Sequence, residues 1–142
     1  MLKLIAGTVV VALAVLPAWA DITCPSVVTD AAKKACPDAT VTRCVAEKSG
    51  FEVKMQKKDK SIVELDITSS GQIEQIEEVV PVTSLPAAVS KAFAARYPKQ
   101  KIRKAEKQTK ADKSVSFELA FKTGKGLKEA TFNEDGTFVE EE

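Results

Sequence analysis

The strongest constraint on the fold is a strict alternation of large apolar residues and polar or small residues in three segments. Every second residue is large and apolar in residues 51–56, 63–67 and 115–122. Because successive side chains of a strand point to opposite faces, these segments predict half-buried strands. Turn sequences lie beside them, such as Ser49-Gly50, Ser69-Ser70-Gly71 and Gly124-Lys125-Gly126. The pattern predicts an antiparallel sheet with one apolar face and one polar face.

Two further segments have helical spacing of apolar residues, and each is closed by a proline. Residues 25–35 end at Cys36-Pro37, and residues 85–97 end at Tyr97-Pro98. Each helix precedes four short strands, so the same order of landmarks occurs twice along the chain.

The repeated order of landmarks predicts an internal duplication. We expect an α+β fold with two tandem half-repeats, about 24–80 and 84–142. Each half-repeat would hold a helix and antiparallel strands. The helices would pack on one face of a curved antiparallel sheet, and its polar face would meet solvent or a partner.

The first twenty residues are typical of a secretory signal. Lys3 supplies a positive start, residues 4–16 are almost wholly apolar, and Ala18-Trp19-Ala20 has small residues at the positions that a signal peptidase reads. We therefore predict a signal peptide over residues 1–20, cleavage between Ala20 and Asp21, and a single mature domain over 21–142. The predicted location is periplasmic or secreted, with no stable membrane span.

Removal of the signal peptide balances the charge of the mature chain. The full sequence has 21 basic and 20 acidic residues, and the signal peptide takes only Lys3 with it. A dedicated nucleic-acid-binding protein needs a clear excess of positive charge, so nucleic acid is not an expected partner.

Three cysteines in an oxidising compartment indicate one disulfide and one remaining thiol. A helix over 25–35 holds Cys24 and Cys36 about 15–18 Å apart, too far for the roughly 7 Å limit between bridged Cα atoms. A strand returning along that helix brings Cys44 towards Cys24, so Cys24–Cys44 is favoured and Cys36–Cys44 is the alternative. The remaining thiol would pair between chains or serve as a small buried hydrophobe.

Several motifs together resemble a known family of exported bacterial proteins. They are Leu85-Pro-Ala-Ala-Val89, Tyr97-Pro98, Phe132-Asn-Glu-Asp-Gly136 and, more loosely, Val63 to Gly71. The chain resembles the PepSY-like family, whose members are related in fold to the β-lactamase inhibitor protein. The resemblance implies tandem helix-plus-strand halves, an extracytoplasmic location and a binding or inhibitory role. Inhibition of a β-lactamase is not carried over, because most aromatic residues occupy core positions; Phe138 is the one that could be an exposed anchor.

Histidine, on which many catalytic and metal sites depend, is missing from this sequence. The chain has no histidine, which excludes a Ser-His-Asp triad, a Cys-His dyad and histidine metal ligands. No nucleophile with its base can be named, and no cofactor is expected. The sequence therefore predicts a binding module rather than an enzyme.

Charged segments suggest two kinds of partner, each with a simpler alternative. A basic stretch over residues 99–113 includes Lys104 and Lys107 and could meet an acidic partner or an anionic membrane surface, although the favoured interpretation is a charged face that keeps an edge strand from aggregating. Carboxylates at 74–78 and 134–142 could hold a divalent cation, or they could be solvated. The favoured function is a protein-interaction or inhibitor-like module, and the alternative is a protein that binds a small ligand or a divalent cation. The oligomeric state is open.

Overall fold

A computed structural model of the chain describes residues 24–142. The predicted signal peptide, with its cleavage site at Ala20 and Asp21, lies outside the described residues. The elements are α1 (Ser26–Ala35), β1 (Ala39–Ala46), β2 (Gly50–Lys57), β3 (Ile62–Thr68), β4 (Ile73–Val80), a 3-10 turn (Val82–Ser84), α2 (Ala87–Arg96), β5 (Ile102–Lys110), β6 (Val115–Thr123), β7 (Gly126–Asn133) and β8 (Phe138–Glu141). Within residues 24–142, no helix has the length and apolar character needed to cross a membrane.

All eight strands form one antiparallel sheet in the order in which they occur along the chain. Neighbouring strands are joined by short connections, except that the 3-10 turn and α2 lie between β4 and β5. Even there the two strands pair directly, from Gln75 opposite Lys110 to Val80 opposite Ala105. The sheet therefore continues without a break across the centre of the sequence.

The predicted fold class is wrong in this respect. We expected two tandem helix-plus-strand half-repeats with helices packed on a curved sheet, but the structure is mostly a single eight-stranded sheet. The two helices have ten residues each, and each fully buries only two side chains. At residues 81–86 the chain leaves the sheet and leads into α2. The sequence pattern does not indicate whether the strands before and after this segment pair with each other.

Two groups of buried side chains form the apolar side of the sheet. One joins Val28 and Ala32 of α1 to alternate residues of β2 and β3, including Val53 and Leu65. The other joins Leu85, together with Val89 and Phe93 of α2, to alternate residues of β5, β6 and β7. Phe93 is the centre of the second group, since its ring lies 5.3 Å from that of Phe121 and 6.4 Å from that of Phe132.

A disulfide links the start of α1 to β1. Cys24 and Cys44 form it, with their Cα atoms 5.7 Å apart, as the geometry of a strand returning along the helix predicts. Cys36, at the end of α1, is the free cysteine of the described residues. The helix is thus attached to the edge strand by a covalent bond as well as by its apolar face.

Candidate functional site: the open face of the sheet

The side of the sheet that faces away from α1 and α2 is called the open face here. Its residues follow from the alternation of side chains along each strand and from the register between strands. The pairs Glu64–Glu77, Glu77–Gln108 and Gln108–Ser116 cross the centre of this face. Its carboxylates are Glu52, Glu64, Asp66, Glu77, Glu106, Glu118, Glu129 and Glu140, and its basic residues are Arg43, Lys54, Lys104, Lys110 and Lys122.

A hydrogen-bonded network occupies the centre of the open face. The side-chain amide nitrogen of Gln108 donates to Oε1 of Glu77 at 3.2 Å and to Oε2 of Glu118 at 3.3 Å. Its amide oxygen accepts a hydrogen bond from Oγ of Ser116 at 2.9 Å. One amide therefore bridges two carboxylates from strands on either side of β5, and it fixes the orientation of both.

Several polar residues of this face are as hidden as core residues. Glu106 is 7% exposed and Gln108 is 8% exposed, although both helices lie on the other side of the sheet. Glu106 forms an ion pair with Lys104, in which Nζ of the lysine and Oε1 of the glutamate are 2.7 Å apart. In the described part of the chain, no lysine or arginine forms an ion pair with Glu77 or Glu118.

The crowding of carboxylates changes their proton affinity. Burial, together with the negative charges of Glu129, Glu77, Glu106 and Glu142, raises the pKa of Glu118 from 4.5 to about 7. Burial is also the main cause that raises the pKa of Glu77. Both effects have the same origin, because a partly desolvated carboxylate close to other negative charges is less stable in its ionised form.

A second carboxylate position with raised proton affinity lies on β3. Burial raises the pKa of Asp66, and the charges of Glu47 and Glu52 add to the effect. Asp66 lies directly opposite Glu52 across β2 and β3. Beside this pair, Lys54 forms an ion pair with Glu64 at 2.7 Å. The open face therefore carries excess negative charge at its centre and towards β2.

Two exposed aliphatic side chains complete this surface. Val79 of β4 is 47% exposed and lies opposite Glu106, while Leu127 of β7 is 66% exposed and lies opposite Lys122. Both are on the open face by register. They supply apolar contact area beside the charged centre.

The structure does not bring the predicted interaction residues together on one surface. Lys104 lies on the open face, but Lys107 is opposite Glu78 and Phe117 on the helix side of the sheet. Phe138 is also on the helix side, where it packs against Phe132 with ring centres 5.7 Å apart. The guanidinium carbon of Arg96 lies 3.6 Å from the centre of the Phe138 ring, so this half-buried ring contacts both Phe132 and Arg96.

The two acidic segments that could have shared a cation are also separate. Residues 74–78 lie within β4, and residues 138–141 form β8, which is four strands further along the sheet. Among the residues that the structure describes, no group of three potential ligands could hold a metal ion. The third cysteine lies beside a cavity of about 420 Å³ that Lys57, Ile76 and Glu78 also line, and burial is the main cause that raises the pKa of its thiol.

The central residues of the site, Glu77, Gln108 and Glu118, were not selected from the sequence as a group. Each was recognisable as a polar residue between apolar neighbours, as Glu118 is between Phe117 and Leu119. Their proximity depends on β4 pairing with β5, a contact between segments about 30 residues apart. Alternation alone identifies a face of a strand but not its neighbour.

The fold is similar to that of several solved structures, one of which is described as a BLIP-like protein. No protein-family model matches the chain, and no curated protein matches it. The likeness to solved structures extends over 84% of the chain.

Three of these structures show the extent of the similarity. A DUF2874 family protein from Bacteroides uniformis has 15% identity and a TM-score of 0.74, and 88% of that chain is covered. A protein from Bacteroides eggerthii that is described as periplasmic also has 15% identity, a TM-score of 0.74 and 88% coverage of its chain. A BLIP-like protein from Bacteroides fragilis has 20% identity, a TM-score of 0.68 and 85% coverage. At these identities the comparison establishes the fold, which is BLIP-like.

Proposed function

We propose that this chain is an exported binding module that docks an extracytoplasmic protein with a basic surface on the open face of its sheet. The observation that carries the proposal is the charge of that face. Carboxylates outnumber basic residues across it, Arg43 included, and Glu77 and Glu118 at its centre have no cationic partner in residues 24–142. A partner that supplies lysine or arginine side chains would neutralise this charge, and charge complementarity of this kind favours association.

The size of the open face also suits a protein partner. Eight strands at about 4.8 Å spacing are about 34 Å wide, and strands of about seven residues are about 23 Å long. The product is close to the roughly 800 Å² that each partner contributes to a standard protein interface. Val79 and Leu127 would supply apolar contacts within that area.

The extracytoplasmic part of the proposal has three sources of support. Residues 1–20 are typical of a signal peptide, and the Cys24–Cys44 disulfide suits an oxidising compartment. The similar structure from Bacteroides eggerthii is described as periplasmic. The BLIP-like fold and the motifs quoted above support, as part of the same proposal, a place beside the PepSY-like proteins and a binding role rather than catalysis.

The alternative of a divalent-cation-binding protein has no comparable support. Its predicted acidic segments lie on β4 and around β8, which are not neighbouring strands, and the residues described here hold no candidate metal cluster. A small ligand is less well suited than a protein to a broad sheet face.

Affinity capture with charge-reversed baits tests the proposal. The wild-type chain and two double variants are used to capture proteins from the extracytoplasmic fraction. Glu52→Lys/Glu129→Lys reverses charge on the open face, and Asp30→Lys/Glu134→Lys makes the same change on α1 and the β7–β8 turn as a matched control. We expect one protein to be retained by the wild type and the control and lost by the open-face variant. Equal retention by both variants would exclude the open face as the docking surface.

A further inference from the structure

The centre of the open face is built so that one carboxylate has an unusual environment on every side. Glu118 lies directly opposite Glu106 on β5 and opposite Thr131 on β7. Glu77 of β4 reaches the same Gln108 amide that Glu118 does. Glu118 therefore has other carboxylates close to it on its own face, and Lys104, which lies opposite Ala120, is already paired with Glu106.

The remaining charged groups around Glu118 do not offset this environment. Glu129 on β7 and Glu142 at the end of the chain add negative charge. Lys122 follows on the same strand and face, four residues further along, and no ion pair joins it to Glu118 in the described residues. The protonation of Glu118 thus sets the charge at the centre of the docking surface.

We propose that docking on the open face is gated by pH, with the basic partner bound by the form in which Glu118 is ionised. This inference rests on the proposed function, because it concerns the regulation of the same surface. When the partner docks, a protonated Glu118 gives up its proton to solvent, and the resulting carboxylate faces the partner's cation. Acidification reverses this step and weakens docking.

The size of the effect follows from the fraction of ionised Glu118. With a pKa of about 7, roughly one tenth of the molecules carry an ionised Glu118 at pH 6 and roughly nine tenths do so at pH 8. If only the ionised form binds, the apparent dissociation constant is about tenfold higher at pH 6. Burial also raises the pKa of Glu77, which acts in the same direction.

An N-acetylated, C-amidated hexa-arginine peptide is a suitable probe, since its guanidinium groups are its only charges and they stay ionised at both pH values. Binding is measured by calorimetry at pH 6 and pH 8 and at one ionic strength, and NMR shifts identify the surface. We expect open-face shifts and about tenfold weaker binding at pH 6 for the wild type. Glu118→Gln should remove most of the pH dependence, whereas Glu140→Gln, an exposed carboxyl change on β8, should keep it.

The outcomes separate this inference from the proposed function. Binding on the open face with equal affinity at both pH values would overturn the gating and leave the docking surface intact. A pH dependence that persists unchanged in Glu118→Gln would also overturn it, because another group would be responsible. Absence of open-face shifts at both pH values would contradict the basic partner, and both proposals would fail.

Discussion

At the scale of single residues, the carboxylates at the centre of the open face lower the stability of the folded state when they are ionised. The Gln108 side chain forms hydrogen bonds with Glu77, Glu118 and Ser116. In the described residues, no buried polar side-chain atom lacks a hydrogen-bond partner. The network nevertheless holds carboxylates close together, and each would be better solvated in the unfolded chain. The consequence is a folded state whose stability depends on pH near neutrality.

Glu118 predicts the sign of that dependence. Its pKa is about 7 in the folded chain and near 4.5 in the unfolded chain, so the folded state binds more protons between these values. Its contribution to stability is therefore complete below about pH 4.5 and is lost as the pH rises through about 7. Because Glu118 is only partly desolvated, we expect a loss of about 1 kcal/mol rather than the full electrostatic value.

Urea unfolding of the wild type, Glu118→Gln and Glu140→Gln at about pH 5 and pH 8 measures this contribution. Glu118→Gln should lose less stability than the wild type between the two pH values. Glu140→Gln should behave like the wild type. A decline of the same size in all three proteins would show that Glu118 is not its source.

At the scale of elements, each helix is positioned by a contact outside its apolar face. Gly136, in the β7–β8 turn, has a φ of 86° and lies against the backbone of Ala88 in α2. A Cβ atom there would be 2.7 Å from the Ala88 carbonyl oxygen. On the other side of the molecule, the disulfide joins α1 to β1.

Substitution of Gly136 should therefore be costly. Gly136→Ala combines an unfavourable positive φ with a backbone clash, and we expect a loss of about 1–2 kcal/mol in the free energy of unfolding. Gly124→Ala is the matched control, because a Cβ at Gly124 would meet nothing within 4 Å. It should change stability by less than about 0.5 kcal/mol. Equal effects of the two variants would contradict the close approach of the turn to α2.

Loss of the disulfide should destabilise the chain through the unfolded state. Cys24 and Cys44 are separated by 20 residues, and closure of a loop of this size contributes about 3 kcal/mol. The double variant Cys24→Ser/Cys44→Ser should lose about that amount in thermal or urea unfolding, whereas Cys36→Ser should lose much less. If Cys36→Ser alone lost as much, the assigned pairing would be incorrect.

At the scale of the whole molecule, the elements were predictable from the sequence and their assembly was not. Alternation in 51–56, 63–67 and 115–122 indicated strands, and helical spacing before Pro37 and Pro98 indicated the two helices. The interpretation as two half-repeats failed because β4 and β5 pair across the predicted boundary. Such pairing depends on hydrogen bonds between distant segments, which local periodicity does not encode. The network of Glu77, Gln108 and Glu118 was not predicted for the same reason, because it depends on the pairing of β4 with β5.

A continuous sheet predicts cooperative unfolding of both apolar groups. Leu65 belongs to the group under α1 and Leu119 to the group under α2, and each is fully buried. Leu65→Ala and Leu119→Ala should each cost about 3 kcal/mol and should each increase amide exchange in both halves of the sheet. Val82→Ala, a change at a side chain that is 39% exposed, is the control. If Leu65→Ala increased exchange in β2 and β3 alone, the sheet would not act as one cooperative unit.

The central claim is that a basic protein docks on the open face, and carboxyl footprinting of the complex measures this most directly. The protein captured by the wild-type chain is added back, exposed carboxylates are modified with a carbodiimide and an amine, and mass spectrometry compares the bound and free chains. We predict that modification falls at Glu52, Glu129 and Glu140 and is unchanged at Asp30 and Glu134. Protection of Asp30 and Glu134, with unchanged modification of the open-face residues, would contradict the account.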